Sequence, residues 1–127
     1  MNYNTNQSIF IQIADQICDR VLRGYYHADD RIPSVRELAV EMEVNPNTVM
    51  RSFERLQNYE IIYNKRGIGY FISPTARDKI KEMRHTHFIE EILPSVFNEM
   101  RLLGVDITEL TKAYENFTSK QEIYETK

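Results

Sequence analysis

The sequence predicts a mainly α-helical fold with one small β-hairpin, an N-terminal winged helix-turn-helix followed by a C-terminal two-helix dimerisation region. Three observations carry that expectation. Two helix starts, at Ser34 and Asn45, bear capping residues and bracket a turn of two or three residues. A hairpin pattern with a basic, glycine-bearing tip follows directly. Beyond residue 75 the chain turns to helical apolar faces with few turn residues. The expected division is residues 1–75 for the winged helix-turn-helix and 76–127 for the helical appendage with a frayed tail.

The first helix is expected over residues 8–23. Phe10, Ile13, Ala14, Ile17, Cys18 and Val21 form an amphipathic stripe, and Gly24 is a natural stop. Residues 25–31 are polar, carry Asp29 and Asp30, and read as a loop. Ser34 and Glu37 form an S-x-x-E capping box after Pro33, and Val35, Leu38, Ala39 and Met42 give the short second helix its buried face. Asn45 is an N-cap and Pro46 a first-turn residue for the third helix, whose core face is Val49, Phe53 and Leu56. At roughly 100° per residue, Asn47 and Arg51 point away from that face and Arg55 flanks them.

Ile61, Ile62 and Tyr63, then Tyr70, Phe71 and Ile72, are strand-like runs joined through Asn64-Lys65-Arg66-Gly67-Ile68-Gly69. A long helix is expected over 75–103, kinked or split by Pro94 and stopped by Gly104. Asp106 and Glu109 cap a last helix over 107–117, with a frayed polar tail from Thr118. The apolar faces of this region, with Phe88, Ile89, Leu93 and Phe97, exceed what one short helix covers, which points to a two-fold dimer.

Composition sets bounds on function. The hydrophobic share of 42% is that of an ordinary globular chain. No apolar run approaches the roughly 18–20 residues of a membrane span. The first eight residues are polar and lack a signal-peptide stretch, so the expected location is the cytoplasm. The single cysteine, Cys18, reads as a small apolar residue on an inner helix face. His85 and His87 lie two apart, a spacing that points them in different directions, so no metal is expected. No cofactor loop and no paired nucleophile and base are visible, which argues against an enzyme. The Gly67-x-Gly69 pair is too short for a nucleotide fingerprint.

The arrangement suits double-stranded DNA. A major groove admits one helix, and the residues near that helix's N-terminus meet the bases. Here they are Asn45, Asn47, Thr48 and Arg51. Asn pairs with adenine and Arg with guanine. Ser34 and Arg36, at the start of the second helix, can meet a phosphate. Lys65, Arg66 and Gly67 sit in a hairpin that can reach adjacent backbone or minor groove. Taken alone, Arg51 and Arg55 read as a solvated helix face paired with Glu54; within this arrangement Arg51 joins the contact set and Arg55 fits either reading. The formal net charge of −3 opposes nucleic-acid binding and supports an alternative, a winged-helix protein-interaction module without DNA.

Gln12-Ile13-Ala14, Arg31-Ile32-Pro33-Ser34-Val35-Arg36-Glu37-Leu38-Ala39, Val44-Asn45-Pro46-Asn47-Thr48-Val49 and Gly67-Ile68-Gly69-Tyr70-Phe71 resemble, in one unbroken order, the GntR family of bacterial regulators. The short helical C-terminal part resembles the YtrA branch of that family. The resemblance implies a transcriptional regulator acting as a homodimer on an inverted repeat, in most relatives a repressor. It implies DNA contact by Arg36, Asn45, Asn47, Thr48, Lys65, Arg66 and Gly67. The chain departs from the family at Pro46, where many members have a basic residue, and at Met50, where many have Arg. A small-molecule effector stays open; a cavity between the dimer helices near Pro94 and Phe97 is where one would fit.

Overall fold

A computed structural model describes residues 8–125, with side chains to residue 121. The element order is α1 (Ile9–Leu22), α2 (Val35–Met42), α3 (Pro46–Asn58), β1 (Ile62–Lys65), β2 (Gly69–Ile72), α4 (Ala76–His87), a π-helical turn (Phe88–Ile92), α5 (Leu93–Leu103) and α6 (Ile107–Glu125). This is the helical, single-hairpin architecture that the residue pattern predicts. The chain divides into two compact units, residues 1–85 and 86–127.

In the first unit, α1, α2, α3 and the hairpin close around one core. Ile17, Leu38, Val49, Phe53, Leu56, Ile61 and Ile72 are all at most 1% exposed. Phe53 meets Tyr70 edge to face at 4.7 Å between ring centres, a favoured aromatic geometry. Cys18 lies in this core, and burial pushes its thiol up to about 12. A neutral, shielded thiol is a poor nucleophile, so Cys18 serves packing.

The two strands pair antiparallel with Ile62 opposite Ile72 and Lys65 opposite Gly69. The turn is therefore Arg66-Gly67-Ile68, shorter than the six-residue tip read from sequence, and Lys65 belongs to the strand. The Ile68 N–H donates to the Lys65 carbonyl at 2.9 Å, and Gly67 takes φ +79°. A positive φ at the third turn position requires a residue without a Cβ penalty. The preceding loop pairs along the outer side of β2: Asp29 donates to Ile72, Ile72 to Asp30, and Ile32 to Tyr70.

The core extends past residue 75. Ala76 and Ile80 of α4 are 1% and 0% exposed. Arg77 and Arg84 each donate to a carbonyl of α1, and Arg84 is 2.9 Å from the Asp19 carboxylate. The compact unit thus ends ten residues later than the expected division, because the first half of α4 contributes core side chains.

The helix expected over 75–103, kinked or split by Pro94, is α4, a π turn and α5. Pro94 lacks an N–H, so the ladder around it must adjust. The adjustment precedes the proline: the Leu93 N–H reaches back five residues to the Phe88 carbonyl. Gly104, at φ +71°, ends α5 as expected. Asp106 accepts from the Glu109 N–H at 2.9 Å, and α6 runs on to Glu125 rather than ending near Phe117. The residues after Thr118 are polar, but Lys, Gln and Glu are strong helix formers, so polarity there does not end the helix. Thr126, Lys127 and the first seven residues lie outside the described residues. No described residue from 86 to 121 is buried. Among the described residues, no helix is long and apolar enough to cross a membrane.

Candidate nucleic-acid interface

The two capped helix starts are built as the sequence requires. The Ser34 hydroxyl accepts from the Glu37 N–H, and the Glu37 carboxylate accepts from the Ser34 N–H, both at 3.1 Å. Those bonds hold the Glu37 carboxyl below the usual carboxylate range. The Ser34 N–H donates and its hydroxyl oxygen accepts within the box. Arg36 is exposed beside this capped helix start.

At α3, the Asn45 side-chain oxygen accepts from the Asn47 N–H at 2.8 Å. Val49, Ser52, Phe53 and Leu56 turn inward. The Ser52 hydroxyl lies 2.6 Å from the Phe10 carbonyl oxygen and 3.1 Å from that of Thr48, which ties the middle of α3 to the first turn of α1. The opposite face is open: Pro46, Asn47, Met50, Arg51, Glu54 and Asn58 are exposed, and Thr48 is half-buried.

The two arginines of α3 rest on aromatic rings. The Arg51 guanidinium stands 4.5 Å over Phe10, and that of Arg55 stands 5.2 Å over Tyr59. Together with Glu54 and Asn58 they line a shallow cleft. Neither the expected pairing with Glu54 nor a free guanidinium describes Arg51; it is held from the α1 side. Phe10, a stripe residue in the sequence reading, is its platform. A contact across 41 positions leaves no local signal.

In the hairpin, Lys65 lies 4.7 Å over the Phe71 ring, and Tyr63 stacks on Phe71 at 5.7 Å. The Tyr63 hydroxyl donates to Asp29 at 2.7 Å, which raises its titration. Gly69 takes φ +145°, and a Cβ there would sit 2.9 Å from the Arg31 side chain. Arg31 thus uses the room that a glycine leaves. Arg66 and Gly67 are exposed at the turn itself. The structure brings Lys65, Arg66 and Gly67 together in the hairpin, and Asn45, Asn47, Thr48 and Arg51 together on α3.

Charge is unevenly placed. Residues 86–127 hold eight Asp and Glu against four Lys and Arg, whereas residues 1–85 hold eleven against twelve. The formal charge of −3 that opposes DNA binding therefore comes from the second unit. Counting by unit rather than by chain removes that objection. Among the described residues, no group of three His, Cys, Asp or Glu is placed to hold a metal ion; His87 instead faces Glu91 at 3.3 Å.

Comparison with known proteins agrees with this geometry. Residues 11–72 match the family model described as bacterial regulatory proteins of the gntR family. The chain is 33% identical over 118 residues to the HTH-type transcriptional regulator YhcF of Bacillus subtilis, covering 91% of this chain and 94% of that one. It is 35% identical over 102 residues to the HTH-type transcriptional repressor YtrA of the same organism, covering 80% and 78%. A solved structure from Bacteroides thetaiotaomicron, described as a transcriptional regulator of the GntR family, is 48% identical and covers 90% of this chain and 99% of its own, with a TM-score of 0.78.

Proposed function

Because this chain belongs to the gntR family of bacterial regulatory proteins, we propose that it represses transcription by binding an inverted-repeat operator as a homodimer. DNA-binding transcriptional regulation follows from the family; repression, dimerisation and the form of the operator are the reading added here. The observation that carries it is the open tip of α3, where Asn47 and Arg51 are exposed, together with a hairpin that exposes Lys65 and Arg66. The relative YtrA is named a repressor.

In this reading the elements up to residue 75 bind DNA, the first half of α4 completes their core, and the rest of the 76–127 appendage dimerises. Asn47 meets a base edge, Arg51 meets the adjacent base or backbone from its seat on Phe10, and Thr48 meets a phosphate or a thymine methyl. Asn45 and Ser34 hold the two helix starts in position. Arg36, Arg55, Lys65 and Arg66 meet phosphates, and Gly67 lets the hairpin approach closely. The exposed Phe88, Ile89, Phe97, Leu102 and Leu103 form the surface that a second copy covers. Two-fold pairing would set the α3 helices roughly 34 Å apart, one turn of DNA. The protein works in the cytoplasm, and an effector would enter between paired appendages near Pro94 and Phe97.

Fluorescence anisotropy with the DNA upstream of the protein's own gene, against scrambled duplex and across a salt series, tests this. Tight binding that prefers the native sequence and weakens steeply with salt is the expected result. Salt-insensitive binding, or none at low salt, would remove the reading.

A further inference from the structure

The tip of α3 offers an unusual set of groups to a base pair. Asn45 is occupied by its cap, since its side-chain oxygen accepts from the Asn47 N–H at 2.8 Å. Thr48 is half-buried, and its carbonyl faces the Ser52 hydroxyl at 3.1 Å. The Arg51 guanidinium stands 4.5 Å over Phe10, toward α1. Arg51 is itself exposed but seated on that ring, and Pro46, Asn47 and Met50 stand exposed beside it. On a helix these three fall on one strip, Met50 roughly 60° around from Asn47 and one turn further along. Met50 is 38% exposed, whereas Val49 beside it is 0% exposed.

This strip sets one amide beside two apolar side chains. The amide of Asn47 matches the N6 and N7 edge of adenine. Only one apolar feature projects into the major groove, the C5-methyl group of thymine. A methionine, unbranched and polarisable, moulds itself to such a group. A guanine edge offers two acceptors, and neither proline nor methionine has a donor to meet them. We propose that Met50, backed by Pro46, reads thymine methyl groups, and that Asn47 and Met50 together direct this chain to adjacent A·T pairs under the tip of α3. The assignment rests on the DNA-binding reading above.

The test is selection of binding sites from a randomised duplex library with the full chain. Each thymine of the selected site is then replaced singly by deoxyuridine, which removes only the methyl group. Expected are adjacent A·T pairs in the selected site. Deoxyuridine at one or two positions should weaken binding about four-fold each, the worth of one buried methyl group. The Met50→Ala protein, altered at an exposed position, should lose that sensitivity while still binding DNA. Wild-type indifference to every deoxyuridine, or an equal deoxyuridine loss in Met50→Ala, overturns the role of Met50 and leaves DNA binding standing. Failure of any duplex to enrich would instead remove the DNA-binding reading, and the proposal with it.

Discussion

The two compact units use their apolar side chains in opposite ways. In residues up to 85, Phe53, Ile61 and Ile80 have no exposed surface, and four helices and a hairpin share one interior. In residues 86–121 nothing is buried, and Phe88, Ile89, Phe97, Leu102, Leu103, Ile107, Tyr114 and Phe117 all face outward. The first unit is finished within one chain. The second leaves an apolar surface open, and in the dimer proposed above its stability should depend on concentration while that of the first should not.

The strongest way to break this contrast is at the core. Phe53→Ala should cost the first unit about 3–5 kcal/mol in urea unfolding. It should also expose Cys18, so thiol labelling should speed up roughly 10²–10⁴-fold where labelling follows global opening. A Phe97→Asp, Leu103→Asp double variant should leave that unfolding midpoint unchanged. It should yield monomers by light scattering and weaken operator binding about 100-fold or more, as two linked contacts become one. A monomeric wild type at micromolar concentration would defeat the contrast outright.

Smaller effects sharpen the picture within the first unit. Asn47→Ala should leave stability alone and cost about 1–3 kcal/mol of discrimination between operator and altered duplex. Ser34→Ala removes a cap and should lower stability by about 1 kcal/mol, with base preference intact. Lys65→Ala should be smallest at high salt: it should weaken binding to all duplexes alike and reduce the salt slope by about one. An altered base preference in Lys65→Ala would place the hairpin in base reading instead.

How legible these features are in the sequence follows from the range of the interactions that fix them. Ser34 with Glu37, and Asn45 with Pro46, are local signals, and both helix starts form as those residues dictate. The α3 core face follows from the spacing of Val49, Phe53 and Leu56 alone. The π turn is less visible: Pro94 announces a disturbance, but not that an i to i+5 bond at Phe88 absorbs it, and apolar spacing counted through that turn slips by a residue. The seat of Arg51 on Phe10 and the packing of Arg31 on Gly69 are tertiary, joining residues about 40 apart in the chain. No periodicity foretells them.

The hairpin also bears on the thermodynamics of recognition. Its Lys65 is laid across Phe71, Phe71 is stacked on Tyr63, Tyr63 is tethered to Asp29, and the same loop runs hydrogen-bonded along β2. Little conformational freedom is left to surrender except at Arg66 and the turn. Each rotamer-rich side chain frozen on binding costs about 0.5–1.5 kcal/mol, and here Lys65 is already ordered before DNA arrives. The wing should therefore behave as a preformed arm: the entropic penalty of docking concentrates in three turn residues, so that less of what its charges gain on phosphates is offset by ordering.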